Sequence, residues 1–276
     1  MSKEILVMGG TGKTGRRVAE RLVKLNQTVR IGSRHANPGF DWRDQSTWTN
    51  ALNDISKVYI TFQPDLAVPG AVDAIESFVK KAAEAGVEQL VLLSGRGEEE
   101  AQQCEQIVMA SGLAWTIVRA SWFMQNFSEN FFLDALLAGH VALPAHGVLE
   151  PFVDADDIAD VVVASLTDNN HIGKVYELTG PRLISFEQAI QEIAKAASLP
   201  IHYQQVSIEE YTAMLRKHHV PQDLISLLHY LFTEVLDGHN AYLTDGVKQA
   251  LGREATDFSG YVKKTVATGV WSKNII

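Results

Sequence analysis

The sequence predicts an α/β protein built on a doubly wound parallel sheet and followed by a smaller, mainly helical C-terminal lobe. Up to residue 119, short continuous apolar runs alternate with longer segments of helical periodicity, which is the pattern of parallel strands buried on both faces. A glycine-rich turn follows the first run, as it does at the first strand–helix turn of a Rossmann sheet. Beyond residue 119 helical segments dominate, and these form the predicted lobe.

The elements of the sheet follow in order along the chain. Apolar runs predict strands at residues 5–8, 28–31, 58–62, 90–94 and 115–119. The periodic segments between them predict helices at residues 15–25, 68–85 and 98–110. Gly86 and Gly112 follow the second and third of these helices, at positions where glycine commonly ends a helix.

The C-terminal part is expected to return to the sheet once before it forms the lobe. A helix at residues 154–166 and a strand at 175–179 make this return. Further helices are predicted at residues 186–197, 208–217, 222–236, 245–251 and 258–268. We therefore place a dinucleotide-binding domain at residues 1–153 and a substrate lobe at residues 154–276, of which 154–180 rejoins the sheet.

Composition and charge exclude several classes of protein. The 276 residues are 46% hydrophobic and 21% charged, as in ordinary globular proteins. A net charge of −9 disfavours binding to nucleic acid. The single cysteine, Cys104, allows no intrachain disulfide, and the apolar run at residues 5–8 is too short for a signal peptide. We expect a cytoplasmic protein with no membrane span and no metal site, because no Cys/His ligand spacing occurs.

A glycine-rich segment between the first strand and the first helix predicts a phosphate site. Gly9, Gly12 and Gly15 recur every three residues. Glycine allows the backbone to turn sharply and to approach a pyrophosphate closely, and the helix that follows presents amides to the anion. An ordinary tight turn is the alternative. The predicted cofactor-binding residues here are Gly9, Thr11, Gly12, Lys13, Thr14 and Gly15.

The end of the second strand predicts the choice of cofactor. NAD-binding sites carry a carboxylate here for the ribose hydroxyls, but no Asp or Glu occurs between Glu20 and Asp41. Ser33 and Arg34 stand there instead and offer a hydroxyl and a guanidinium to a 2′-phosphate. A solvated surface arginine is the alternative. We predict NADP(H) in preference to NAD(H), with Phe62, Gln63 and Pro64 beside the ribose at the end of the third strand.

These residues resemble those of the NmrA-like group of atypical short-chain dehydrogenases/reductases. The glycine spacing and Arg34 fit the group, and so do the segments at 40–52, 122–127 and 152–159. The resemblance is closest to the ergot-alkaloid (agroclavine and festuclavine) dehydrogenases and to the NADPH quinone reductases. It implies an NADP(H)-dependent reductase in which Asp41 lies beside the adenine.

One departure from the short-chain dehydrogenases concerns the catalytic acid. They carry Tyr-x-x-x-Lys, but none of the seven tyrosines of this chain has Lys four residues later. Ser94 is therefore only a weak catalytic candidate. The predicted substrate-pocket residues are Ser94, Arg96, Trp122, Phe123 and Asn126. The acidic residues at 98–100 and 154–157 are interpreted chiefly as helix-opening charges, although the first group could also attract a cationic substrate.

Two functions from different classes fit the sequence. The leading hypothesis is a reductase that transfers hydride from NADPH to a small conjugated or aromatic electrophile, a quinone or an iminium ion, without a Tyr-Lys acid. The alternative is a regulator that senses NADP(H) and changes its affinity for a protein partner without turnover. The missing Tyr-x-x-x-Lys motif fits both hypotheses.

Overall fold

A computed structural model describes residues 4–129 and 131–272. The chain forms two compact units, each made of segments that are discontinuous in sequence. The first unit comprises the chain up to Ala120 together with Ala155–Leu178 and Asp245–Arg253. The second comprises Ser121–Asp154, Thr179–Thr244 and the chain from Glu254 onward. Of the two predicted domains, residues 1–3, 130 and 273–276 lie outside the described residues.

These units do not follow the predicted division at residue 153. Residues 121–153 belong to the second unit, because the chain leaves the sheet at once after its fifth strand. Residues 155–178 belong to the first unit. A further return, by Asp245–Arg253, was not predicted as part of the sheet unit.

The strands are numbered in chain order. They are β1 (Glu4–Met8), β2 (Val29–Gly32), β3 (Ile55–Ile60), β4 (Gln89–Gly95), β5 (Ala114–Ala120), β6 (His140–Leu143), β7 (Leu149–Glu150), β8 (Lys174–Leu178), β9 (Ile184–Ser185) and β10 (His202–Gln205). Six of them form one parallel sheet in the order β2-β1-β3-β4-β5-β8. This order confirms the doubly wound parallel sheet.

The α-helices are likewise numbered in chain order. They are α1 (Lys13–Lys24), α2 (Trp48–Leu52), α3 (Ala71–Glu84), α4 (Glu99–Met109), α5 (Leu133–Ala138), α6 (Ala155–Thr167), α7 (Phe186–Ala197), α8 (Ile208–Lys217), α9 (Gln222–Tyr230), α10 (Gly246–Leu251) and α11 (Phe258–Ala267). Short 3-10 turns occur at Gln45–Thr47, Met124–Phe127 and Asn169–His171, and a π-helical turn at Leu231–Val235 extends α9. Gly86 adopts a left-handed φ of 77° just after α3, as a helix-ending glycine does.

The two faces of the sheet pack differently. Side chains of α2, α3 and α4 form one apolar cluster with alternate strand residues such as Ile60 and Leu92. On the opposite face, Tyr59 donates to the Thr14 hydroxyl of α1 at 3.0 Å, and the Gln89 amide donates to the backbone of α6 at 2.8 Å. Alternation along β3 and β4 therefore buries both faces, which is why these strands are continuous apolar runs.

Helix α1 is fixed to α6 by charge as well as by packing. Arg21 reaches Asp156 and Asp160 of α6, each at 2.7 Å. Arg253, just beyond α10, pairs with Asp157 at 2.7 Å and with Asp160 at 2.6 Å. These ion pairs connect α1, α6 and the segment just after α10, which are far apart in sequence.

The second unit is mainly helical, as predicted, and has an aromatic core. Phe127, Phe152, Phe186 and Phe258 are buried against one another. Helices α7 and α8 begin at the bounds that the sequence predicts, because Ser185 and Ser207 each form a capping box with the residue three positions on. Two small sheets were not predicted, β6 with β10 and β7 with β9.

Over residues 4–129 and 131–272, no helix combines the length and the apolar composition that crossing a membrane requires.

Candidate functional site

The glycine-rich turn after β1 is shaped by contacts that only glycine permits. Gly9 has a left-handed φ of 59°, and a Cβ there would lie 2.5 Å from the Thr61 hydroxyl. A Cβ on Gly15 would lie 2.1 Å from the carbonyl oxygen of Gly9. The Gly12 amide donates to that same oxygen at 2.8 Å. The first turn of α1 is therefore held directly against the end of β1.

The start of α1 has no side-chain cap. Gly12 is the N-cap residue and supplies no capping side chain, and the first turn contains no acidic residue. The buried Thr14 hydroxyl accepts from Tyr59 at 3.0 Å. Thr11 is exposed at the tip of the turn. Backbone amides with the positive end of a helix dipole suit an anionic group such as pyrophosphate.

The end of β2 is joined to this turn, so that the predicted phosphate-reading residues lie beside it. The Gly9 amide donates to Gly32 at 2.9 Å. The carbonyl of Ser33, the next residue, accepts from the amides of Ala36 and Phe40 at 3.2 and 2.9 Å, which closes a compact loop around Arg34. The Arg34 side chain is exposed and forms no ion pair with any residue in the described ranges. Its guanidinium is thus available to a 2′-phosphate.

An aromatic group fixes the loop between β2 and β3. The Trp42 indole donates to the Thr61 carbonyl at 3.0 Å, and the Trp42 and Phe62 ring centroids lie 4.7 Å apart. The Trp48 indole donates to the Asp41 carbonyl at 2.7 Å, and the Asp41 carboxylate accepts the Arg43 amide at 3.0 Å. Asp41 and Phe62, two of the predicted cofactor residues, therefore belong to one packed region.

The segment after β3 reaches the glycine-rich turn. The Gln63 side-chain nitrogen lies 3.9 Å from the position that a Cβ on Gly12 would occupy. Gln63 and Pro64 are exposed. Of the predicted cofactor residues, those on the glycine turn, at the end of β2 and after β3 are therefore brought to one edge of the sheet.

Ser94, the weak catalytic candidate, is engaged within the protein. Its side chain is 3% exposed and its hydroxyl donates to Glu105 of α4 at 2.6 Å. Glu105 also receives two hydrogen bonds from Arg119, at 2.9 and 2.5 Å, and these bonds raise the pKa of the Arg119 guanidinium. The hydroxyl proton of Ser94 is thus committed to a buried carboxylate, and a role of Ser94 toward substrate stays a prediction.

Arg96, a predicted pocket residue, extends the same network. It is 4% exposed and pairs with Glu177 of β8 at 2.7 Å, and Arg119 reaches the other oxygen of Glu177 at 3.4 Å. Two arginines and two carboxylates therefore neutralise one another at the ends of β4, β5 and β8. Sequence reasoning missed Glu105 and Glu177, although the inward spacing of Glu105 with Ala101 and Cys104 on α4 was a usable signal.

A second group missed from the sequence is a carboxyl pair. Glu98 is buried, with a hydrogen bond to Asp65 in the segment after β3. Burial and the Asp65 charge raise the pKa of Glu98 well above its usual value. The sequence analysis interprets Glu98 as a helix-opening charge, but its side chain does not cap α4. The available signal was position, because both residues follow the carboxyl ends of adjacent strands.

The other predicted pocket residues lie in the second unit. The Trp122 ring packs against Phe186 and Phe232, at 5.2 and 5.3 Å between centroids. Phe123 forms a bridge with Val153. Trp122, Phe123 and Asn126 are half-buried, and their contact with substrate stays a prediction.

The remaining candidate residues are held in ion pairs, in hydrogen bonds or in the core of the protein. Asp156 and Asp157 lie in the first turn of α6, as predicted, and pair with the arginines described above. Asp154 is buried and accepts from Gln125 at 2.7 Å. Burial raises the pKa of the Cys104 thiol to about 12, so the thiol is protonated at neutral pH. Within the described ranges, no three His, Cys, Asp or Glu side chains form a group suited to a metal ion.

Comparison with known families identifies two overlapping matches. Residues 9–169 match the family described as NAD(P)H-binding, and residues 98–265 match the NmrA-like family. Each match covers more than half of the chain.

Curated relatives match along nearly the whole chain. Agroclavine dehydrogenase of Claviceps fusiformis is 29% identical over 94% of this chain and 96% of its own. NAD(P)H azoreductase of Xenophilus azovorans is 27% identical over 95% and 98%. Among solved structures, the NADPH-dependent quinone oxidoreductase of Escherichia coli, complexed with NADPH, has a TM-score of 0.79 at 20% identity and covers 94% of this chain and 99% of its own. At that identity the structural likeness supports the fold alone.

Proposed function

We propose that this chain, which belongs to the NmrA-like family and is an NAD(P)H-dependent oxidoreductase, reduces a small conjugated or aromatic electrophile with hydride from NADPH. The observation that carries the proposal is the glycine turn. Its backbone approaches too closely for a Cβ at Gly9 or Gly15, and the α1 start beyond it has no side-chain cap. That combination fits a bound pyrophosphate.

The preference for NADPH rests on Arg34. The loop that follows β2 holds an exposed arginine and no carboxylate before Asp41. An exposed guanidinium that has no ion pair within the described part of the chain can form a bidentate contact with a 2′-phosphate. NADH lacks that phosphate, so it gains nothing from Arg34. When bound, NADPH would supply the hydride, while the chain would bind and orient the two reactants.

The substrate class follows from the lack of a Tyr-Lys acid. Reduction of an unactivated ketone produces an alkoxide, which requires a positioned proton donor or electrostatic stabilisation. An iminium ion gives a neutral amine without a proton, and a quinone gives a stabilised phenolate. Positioning alone can contribute roughly 7–11 kcal/mol to such reactions. The names of the relatives, a clavine dehydrogenase and an azoreductase, support electron-poor conjugated substrates for this chain.

The test is NADPH oxidation with a panel comprising a quinone, a cyclic iminium salt, an azo dye and an aliphatic ketone. We expect turnover with conjugated acceptors, none with the ketone, and slower turnover with NADH. Gly12→Val, which places a branched side chain at the proposed pyrophosphate site, serves as the inactive control. Tight NADPH binding without turnover of any acceptor would refute the proposal and favour the nucleotide-sensing regulator.

A further inference from the structure

The carboxyl pair of Asp65 and Glu98 lies at the edge of the sheet where the proposed reaction takes place. Strands β3 and β4 are neighbours, with Ile60 opposite Leu92. Asp65 follows the end of β3 by five residues, and Glu98 follows the end of β4 by three. In doubly wound sheets ligands bind outside the carboxyl ends of the strands. The pair therefore occupies the ligand edge.

Glu98 is held in a space that the chain keeps open for it. Its side chain is 6% exposed, and a Cβ on Gly95 would lie 2.1–2.2 Å from its carboxyl atoms. The Oε2 atom is buried and receives no hydrogen bond from a donor group in the described chain. Although Glu98 is the N-cap residue of α4, its side chain makes no capping hydrogen bond. Burial of a carboxylate oxygen without a donor is unfavourable unless the group is protonated.

Asp65 supplies the partner for that proton. The Ala67 amide donates to Asp65 Oδ1 at 2.9 Å, which fixes the carboxyl in place. Asp65 and Glu98 share a side-chain hydrogen bond. Two carboxylates cannot form such a bond unless one of them carries a proton. The pair therefore holds one proton between its members.

The surrounding charges keep the proton in place. Burial acts most strongly on Glu98, and the negative charges of Asp65 and Glu100 act in the same direction, so the pKa of Glu98 is raised. Burial also raises the pKa of Asp65. Pairs of this kind titrate as a unit, and one of the two carboxyl groups keeps its proton to a higher pH than an isolated carboxyl group does. Asp65 is half-buried whereas Glu98 is buried, so Asp65 is the member that a ligand can reach.

We propose that the Asp65–Glu98 pair is the proton donor of this reductase, with Asp65 touching the substrate and Glu98 holding the proton in reserve. The inference rests on the proposed function and specifies its substrates. For an azo acceptor, the pair protonates the nitrogen that does not receive the hydride.

For an azo acceptor, the proposed proton transfer accounts for all atoms and electrons of the reduction. One nitrogen of N=N gains the hydride, and the π electrons move to the other nitrogen. That nitrogen takes the shared proton from the pair, and the product is a hydrazine with an N–N single bond. The pair is left as two carboxylates, and water returns the proton before the next turnover. One reduced cofactor and one proton are consumed. An iminium acceptor needs the hydride only.

The test compares an azo dye with a cyclic iminium salt in three variants. Glu98→Gln keeps the shape of the side chain and can still donate to Asp65, but it holds no transferable proton. Asp65→Asn makes the reciprocal change. Glu99→Gln, at an exposed carboxylate in the first turn of α4, is the matched control. We expect Glu98→Gln and Asp65→Asn to lower kcat for the azo dye by about 10²–10⁴-fold, and to change kcat for the iminium salt far less.

A second readout needs no cofactor. The pKa of Glu98 is raised on folding. The stabilisation that this group contributes is therefore complete below pH 4.5, the ordinary pKa of its carboxyl group, and is lost as the pH rises through its pKa in the folded protein. We expect the apo Glu98→Gln protein to become progressively more stable than wild type as the pH rises through that window, and Glu99→Gln to follow wild type.

Different results of these experiments would overturn the acid role of the pair and the reductase function. Equal losses with both acceptors, azo turnover unaffected by Glu98→Gln, or wild-type turnover of iminium salts alone would each overturn the acid role while hydride transfer stands. Parallel stability–pH curves for wild type and Glu98→Gln would also overturn it, because no shared proton would exist. If the wild type reduces no conjugated acceptor, the quinone included, the proposed function itself fails.

Discussion

Two glycines of the turn after β1 face the same oxygen atom at different distances, and this allows fold and cofactor binding to be tested separately. A Cβ on Gly15 would lie 2.1 Å from the Gly9 carbonyl oxygen, 2.6 Å from the Gly9 carbonyl carbon and 2.9 Å from the Gly10 Cα. All three atoms are backbone, so α1 itself must move. A Cβ on Gly12 would meet the Gly9 oxygen at 3.2 Å and nothing else closer than 3.9 Å.

Gly15→Ala should therefore lower the free energy of unfolding of the apo protein by about 1–3 kcal/mol, the usual cost of overpacking. Gly12→Ala should lower it by much less, because a shift of a few tenths of an ångström relieves the contact. NADPH binding should be lost in Gly12→Ala, whose new methyl group faces the proposed pyrophosphate site. Urea unfolding without cofactor and NADPH titration measure the two effects. Equal destabilisation by the two substitutions, or intact NADPH binding by a stable Gly12→Ala protein, would refute the reasoning.

Three further predictions use single substitutions. Arg34→Ala should weaken the binding of NADPH about ten- to a hundredfold, which corresponds to a charge-assisted contact of roughly 1.5–3 kcal/mol, and leave the binding of NADH unchanged. Equal losses of affinity for both cofactors in titrations would contradict this. Ser94→Ala should lower the free energy of unfolding by about 1–3 kcal/mol, because buried Glu105 loses a donor, and lower kcat no more than about tenfold. Burial acts to raise the pKa of Asp257, but hydrogen bonds from Arg182 and Ser259 lower it overall. Asp257→Asn should therefore lower the free energy of unfolding by less than about 1 kcal/mol at pH 7. In urea unfolding, the stabilities of wild type and variant should converge as the pH falls through the pKa of Asp257 in the folded protein.

The parts of the fold that the sequence predicts are those governed by local patterns. Strands β1, β3, β4 and β5 are apolar because both faces of the sheet are covered, and α7 and α8 begin at capping boxes of adjacent residues. Strands β6 and β10 have no such pattern. They pair over a separation of about sixty residues, with His202 opposite His140, and pairing at that range is set by tertiary contacts rather than by local preference.

In the candidate site, too, the residues that the sequence predicts are those governed by local patterns. The glycine turn and Arg34 follow from spacing, because backbone geometry fixes which residue types are allowed. The roles of Ser94 and Glu98 depend on partners from other elements: Ser94 meets a carboxylate eleven residues on, and Glu98 meets Asp65 from the neighbouring strand end. A sequence shows that such polar residues exist but not which of them share a proton.

The return of α10 to the sheet unit sets an order for synthesis of the chain. Gly246 allows the start of α10 to approach β8 so closely that a Cβ there would lie 2.2 Å from the Glu177 carbonyl oxygen, and Arg253 completes the ion pairs of Asp157 and Asp160. A ribosome has therefore released most of the second unit before the first unit has its last helix. During synthesis, β8 is therefore at the edge of the sheet without α10 packed beside it. Fragments that end between residues 180 and 244 contain all six strands but lack α10. The nucleotide-binding half of this protein is thus completed late in translation, although its first strand is among the first residues made.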